Sequence, residues 1–287
     1  MLRRVFLAAG AVAASAPALA RPQPAGPAAR LASLERDLGG RIGLAAVDTG
    51  SGRRLAWRAD ERFAMCSTFK FLLAAAVLRR VDAGVERLDR VVRYGPADLL
   101  EYAPTARAHV AEGGLSVAAL CEAAVELSDN TAANLLLASI GGPRAVTRFA
   151  ASLGDRHTRL DRNEPSLNTA LPGDPRDTTT PDAMAGDLRA VLLGRALTPA
   201  SRERLTGWMK QTSTGLNRIR AGLPAGWTMA DKTGSGARGS TNTIGLVWPP
   251  GRPPIAVALY CVGSPKPRTD IEAAHAEVGR LLVSQFG

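Results

Sequence analysis

The chain predicts an α/β fold of the α+β type. It has two lobes: an antiparallel β-sheet flanked by helices and built from both chain ends, and an inserted all-helical lobe. Three observations predict this. Strand-like runs lie near the N-terminus and return late in the chain. Helix-like runs fill the middle. One of them, from Phe69 to Leu78, is apolar at every position but Lys70, the mark of a helix buried on all sides. With 287 residues, 46% hydrophobic and 22% charged, the composition excludes disordered, collagen-like and disulfide-scaffold chains. The length suffices for a core without metal or disulfide staples.

The elements follow in order. Met1-Leu2-Arg3-Arg4 is cationic, Val5 to Ala16 is apolar, and Ala18-Leu19-Ala20 has the small-x-small form of a cleavage site. Residues 1–20 therefore read as a removable secretory signal, delivering the chain to the periplasm by the Sec or twin-arginine route. The run falls short of the about 20 apolar residues an anchor needs, and no stable membrane association is expected. After a Pro/Gly/Ala linker (Pro22 to Ala28), Leu31 to Leu38 has helical spacing. Arg41 to Asp48 and Arg53 to Arg58 flank Thr49-Gly50-Ser51-Gly52 as a hairpin. Ser67 to Asp82 reads as a helix, Ser116 caps one reaching Leu127, Thr131 begins another that Gly141-Gly142 ends, and Pro143 opens a third. Residues 155 to 179 carry three prolines and no periodicity; a loop of that length is usually functional. Thr180-Pro181 and Thr198-Pro199 are cap-plus-proline helix starts. Trp227 to Lys232, Thr241 to Trp248 and Ile255 to Val262 read as strands, and Asp270 to Phe286 as the closing helix. The mature chain, 21–287, is thus expected as a single domain. Its α/β lobe comes from about 28–63 and 212–287, and its helical lobe from about 66–208.

The net charge is +10, and losing Arg3 and Arg4 with the signal leaves +8. The arginines are spread without a basic block, so no nucleic-acid partner is expected. The three cysteines, Cys66, Cys121 and Cys261, leave at least one thiol unpaired within the chain; Cys66 and Cys121 read as buried small hydrophobes. No cluster of Cys and His has ligand spacing, so neither a metal nor another cofactor is expected.

The chemistry-bearing residues stand in three short motifs. Ser67-Thr68-Phe69-Lys70 puts a serine and a lysine three apart at a helix start, on one face and beside free N–H groups. Taken alone it equally describes a capping serine with an outward lysine. Ser128-Asp129-Asn130 lies between two predicted helices and Lys232-Thr233-Gly234 at the end of a predicted strand. In this order the three form a set known from penicillin-recognising serine enzymes.

On these motifs the sequence resembles the class A serine β-lactamases over essentially the whole mature chain. A fourth motif, Glu164-Pro165-Ser166-Leu167-Asn168 in the long loop, separates them from the penicillin-binding D,D-peptidases that share the first three. The resemblance implies hydrolysis of the β-lactam amide of penicillins and cephalosporins, and hence antibiotic resistance. The site would lie between the lobes of a monomer whose only partner is its small-molecule substrate. It makes Ser67 the nucleophile, with backbone N–H groups of Ser67 and Ser235 as oxyanion hole. Ser128 becomes the proton relay and Glu164 the deacylation base, holding the water with Asn168. Whether Lys70 or Glu164 is the acylation base stays open. Lys232, Thr233, Gly234 and Ser235 would meet the substrate carboxylate together with Arg218, which replaces an arginine found in many relatives where this chain has Thr241. Asn130 would bind the acyl side-chain amide, Tyr102 would form an aromatic wall, and Arg162 and Asp177 would pair across the loop neck. Two disulfides found in relatives require cysteines where this chain has Gly236 and Ala74.

Overall fold

Period-two alternation along the strands builds a sheet with two dry faces. The computed structural model describes residues 26–287; the signal reading for residues 1–20 lies outside the described residues. In chain order the strands are β1 (Arg41–Asp48), β2 (Arg54–Trp57), β3 (Phe63–Ala64), β4 (Val91–Arg93), β5 (Gly114–Ser116), β6 (Thr178–Thr179), β7 (Thr228–Ser235), β8 (Thr241–Trp248) and β9 (Ile255–Val262). The helices are α1 (Pro27–Leu38), α2 (Phe69–Asp82), α3 (Pro104–Ala108), α4 (Val117–Glu126), α5 (Asn130–Ile140), α6 (Pro143–Ser152), α7 (Pro181–Leu192), α8 (Pro199–Lys210) and α9 (Arg268–Phe286). The main sheet has the order β2-β1-β9-β8-β7 with every neighbouring pair antiparallel. The last three strands thus close onto the first hairpin.

On β9 the side chains of Ile255, Val257, Leu259 and Cys261 enter the core shared with α1 and α9. Those of Ala256, Ala258 and Tyr260 enter the larger core shared with the helical lobe. Helix α2 sits at the centre of that lobe, with all ten residues from Phe69 to Leu78 buried. Local chemistry sets the helix starts: Ser116, Thr180 and Thr198 each accept a hydrogen bond from the N–H three residues on, at 3.1, 3.2 and 3.4 Å, meeting a donor the helix cannot pair itself.

Three features depart from the sequence expectation. The strand expected to end at Lys232 continues to Ser235, because Thr233, Gly234 and Ser235 stay in register with Thr243, Asn242 and Thr241. Ser67 precedes α2 in a separate 3₁₀ turn, Cys66–Thr68. The inserted stretch is not purely helical: β4 pairs with β5, and β6 pairs with β3 across the neck of the 155–179 loop. Ladders of two or three residues are too short for periodicity to reveal.

Below that neck, Asp187 on α7 is buried against Asp155. Each has one carboxylate oxygen, Oδ2, without a partner. One shared proton satisfies both, and burial and the second carboxylate push Asp187 up to about 9. The folded chain thus holds a proton the unfolded chain releases, so the contribution of this pair to stability declines as pH rises from about 4 to about 9. Asp187→Asn, whose amide can donate to Asp155 without a charge, is expected to flatten that decline. It should stabilise the fold at pH 8 by about 1–2 kcal/mol, measured by urea unfolding; an unchanged slope from pH 5 to pH 8 would reject the shared proton.

Candidate active site

The turn that carries Ser67 is pinned against the edge of the sheet by a glycine. A Cβ at Gly234 would stand 2.7 Å from the Met65 carbonyl oxygen and 3.2 Å from the Ser67 nitrogen, so only glycine lets β7 come this close. Asn242 on β8 fastens the turn from below, donating to the carbonyls of Ala64 (2.9 Å) and Met65 (3.0 Å). Ser67 and Ser235 are thereby brought to one cleft.

Around Ser67 the three remote motifs and the loop meet. Ser67 Oγ donates to Glu164 Oε1 at 3.1 Å, and Lys70 Nζ stands 3.1 Å from the same oxygen, both side chains being wholly buried. Lys70 also donates to Asn130 Oδ1 (2.6 Å), the Ser128 carbonyl (2.7 Å) and Ser128 Oγ (3.3 Å). Burial lowers the Lys70 pKa, and the Glu164 carboxylate opposes that shift. Ser128 occupies the left-handed backbone region at φ 60°, ahead of Asp129. Asp129 caps α5 through Ala132 N–H and ties down the N–H groups of Thr105 and Ala106. Asp129 thus caps a helix while Ser128 and Asn130, on either side of it, line the cleft.

Glu164 is held from several sides. Asn168 Nδ2 donates to its Oε2 at 2.5 Å, while Asn168 Oδ1 is buried with no protein partner. Asn134, which no sequence signal singled out, clamps the Glu164 backbone at both polar groups: its Oδ1 accepts from the N–H (3.0 Å) and its Nδ2 donates to the carbonyl (2.9 Å). It stands between the apolar pairs Ala132-Ala133 and Leu135-Leu136 of α5. Across the neck, Arg162 Nε donates to Asp177 Oδ2 at 2.6 Å, and Asp177 Oδ1 accepts the N–H groups of Asp161 and Arg162.

The open part of the cleft has a volume of about 360 Å³, within the range of small-molecule sites. Ser67, Ser128, Asn130, Asn168, Thr233, Gly234 and Ser235 line it, with half-exposed Tyr102 at its wall. Lys70, Glu164 and Lys232 stand behind this surface. Lys232 is fully buried and donates to the Thr233 carbonyl (2.8 Å). Burial and the nearby Lys70 charge push its pKa well down. It therefore stands behind the cleft and is not part of its exposed lining.

Arg218 is only 3% exposed, which sets it apart from the surface arginines. It donates to the carbonyls of Gly234 (3.1 Å) and Asn242 (2.7 Å) and to Ser235 Oγ (2.8 Å), and it pairs with Glu272 at 3.2 Å. Glu272 and Arg268, in the first turns of α9, also line the cleft, as does Thr214, whose hydroxyl lies 2.6 Å from that of Thr233. The sequence reading missed all three. The thiols of Cys66, Cys121 and Cys261 are free and buried, and burial pushes Cys66 and Cys261 up to about 12, leaving them unreactive. Among the described residues no group of His, Cys, Asp and Glu could hold a metal ion. No described helix is long and apolar enough to cross a membrane.

Known proteins similar to this chain share one family. Of curated proteins, β-lactamase AST-1 of Nocardia asteroides is 49% identical over 258 residues, covering 90% of this chain and 83% of its own. β-lactamase CTX-M-8 of Citrobacter amalonaticus is 48% identical over 252 residues, covering 87% and 86%. Of solved structures, an ancestral class A β-lactamase (GNCA) superposes with a TM-score of 0.89 at 59% identity, covering 90% of this chain and 99% of the other. The model of the β-lactamase enzyme family matches residues 26–286, and the chain belongs to that family, on its class A branch.

Proposed function

We propose that this enzyme hydrolyses the β-lactam amide of penicillins and cephalosporins through an ester on Ser67, and so confers resistance to those antibiotics. The observation that carries the reading is the contact of Ser67 Oγ with Glu164 Oε1 at 3.1 Å, with Asn168 on the other carboxylate oxygen. Glu164 takes the Ser67 proton as the oxygen attacks the lactam carbonyl. The N–H groups of Ser67 and Ser235, brought together by the close approach at Gly234, stabilise the oxyanion. Lys70 touches both Glu164 and Ser128, so the proton passes through it to Ser128 Oγ and on to the departing nitrogen. In the second half, Glu164 deprotonates a water that attacks the ester, with the free Asn168 Oδ1 as that water's further acceptor. Glu164 beside Ser67 counts against the D,D-peptidase reading, because enzymes of that kind share only the first three motifs. Sustained turnover of a chromogenic cephalosporin by the purified mature chain is the expected result; one equivalent of product followed by silence would favour the peptidase. We further propose export to the periplasm, removal of residues 1–20 and action as a monomer.

Substrate recognition is assigned to Thr233, Ser235 and Arg218 for the carboxylate, with Asn130 and Tyr102 on the side-chain end and Lys232 supporting Thr233 from beneath through its carbonyl. Arg218 reaches the ligand through Ser235 Oγ, which it holds at 2.8 Å. Arg218→Ala is expected to lower kcat/KM by about tenfold to a hundredfold, the loss of one charge-assisted contact. Steady-state kinetics on protein of verified melting temperature checks this, and an unchanged ratio would remove Arg218 from recognition.

A further inference from the structure

A second cavity, of about 460 Å³, opens behind the loop that carries Glu164 and Asn168, between residues 170–176 and the ends of β1, β3 and β9. Its polar lining is cationic. Arg41, Arg62, Arg162, Arg176 and Arg238 face it against two carboxylates, Glu61 and Asp174. Three of the arginines are committed: Arg41 to Glu61, Arg162 to Asp177 and Arg176 to Asp174, at 2.5, 2.6 and 2.8 Å. The other two are not. Among the described residues Arg62 donates only to neutral oxygens, the His157 carbonyl (2.6 Å) and Thr178 Oγ1 (3.0 Å). Arg238, on the β7–β8 turn at φ 56°, has no side-chain partner among the described residues. The remaining wall is apolar, supplied by Phe63, Leu171, Pro172 and Val262. Two unneutralised guanidinium groups beside an apolar wall match an acidic head on an apolar body.

We infer that this cavity is a binding site for a small organic anion, a carboxylate, sulfonate or phosphate on an aromatic or aliphatic frame, and that its occupancy slows turnover. The route is short. Arg62 braces the loop neck through neutral acceptors, and an anion competes for it because a full negative charge attracts the guanidinium more strongly than a carbonyl or hydroxyl dipole does. Arg238 is tied to the end of β9 by its carbonyl, which accepts Gly263 N–H (2.7 Å). Its neighbour Ala237 donates to the Asn168 carbonyl (2.9 Å), and Asn168 in turn holds Glu164. An anion drawing on both arginines therefore pulls at the back of the segment that positions the proposed base. The kinetic half of this inference rests on the assignment of Glu164 above; the binding half does not.

The test uses anilinonaphthalene sulfonate as probe, titrated by fluorescence in the absence of substrate. The comparison protein carries Arg62→Gln and Arg238→Asn; the glutamine amide can still reach Thr178, and asparagine tolerates the left-handed backbone. Saturable binding at one site, weakened at least about tenfold in the double variant, is expected. So is a fall in kcat for a chromogenic cephalosporin of about threefold or more with KM unchanged in the parent, absent from the variant, whose own basal hydrolysis is retained. Binding that is non-saturable, or equally tight in the variant, overturns the site. Binding lost in the variant with kcat unaffected in the parent overturns the coupling. A parent that does not hydrolyse the cephalosporin even without probe refutes the function proposed above and leaves the binding result standing.

Discussion

Ser67→Ala is expected to form no covalent adduct with any β-lactam and to lose on the order of 10⁴ to 10⁶ in kcat. The cleft keeps its other groups in this variant. Lys70 remains bonded to Asn130 and Ser128, and Glu164 remains held by Asn168 and Asn134. Binding of the substrate carboxylate should therefore survive, and equilibrium dialysis with a slow-reacting penicillin would find it. The alcohol alone converts one hard amide cleavage into two easier ester steps, and nothing else in the cleft replaces it. Residual turnover within tenfold of the parent would mean that water attacks the lactam directly.

The second large effect is Glu164→Gln. Glutamine preserves the volume and can still meet Asn168 and Ser67, but it accepts no proton. General-base loss costs about 10² to 10⁴ in rate, and the two half-reactions should not suffer equally. Acylation retains an alternative route, because Lys70 lies three residues on from Ser67, is bonded to Ser128 Oγ, and has its pKa lowered by burial. Deacylation has no substitute placed beside Asn168. Rapid mixing with a chromogenic cephalosporin should give a burst of one product per enzyme followed by a rate about 10² to 10⁴ below the parent. A linear progress curve at the parent rate would move the deacylating base elsewhere.

Much of this arrangement is written locally and was legible. The S-x-x-K pair, the caps at Ser116, Thr180 and Thr198, the hairpin around Thr49 to Gly52 and the apolar run of α2 depend on neighbours within a few residues. What could not be read arises from long-range packing. Lys232 looked like a side chain available to substrate, yet the sheet edge buries it completely. Strand β7 runs on to Ser235 because β8 offers partners, a fact invisible from the Gly-rich stretch itself. Asn134 and Glu272 are ordinary polar residues on helices until the 155–179 loop and Arg218 are placed against them. Arg218 itself was found by resemblance; its isolation from solvent and its hold on Ser235 needed coordinates.

The pairing of Ser67 with Glu164 makes one demand that mass measurement can meet. Glu164→Gln protein mixed with benzylpenicillin should gain the mass of one intact penicillin within seconds and keep it for minutes or longer, on a proteolytic peptide containing Ser67. The parent under the same conditions should return to its unmodified mass as substrate is consumed. An increment on any other residue, or a Glu164→Gln adduct that clears as fast as the parent's, would contradict the assignment of one oxygen to capture and one carboxylate to release.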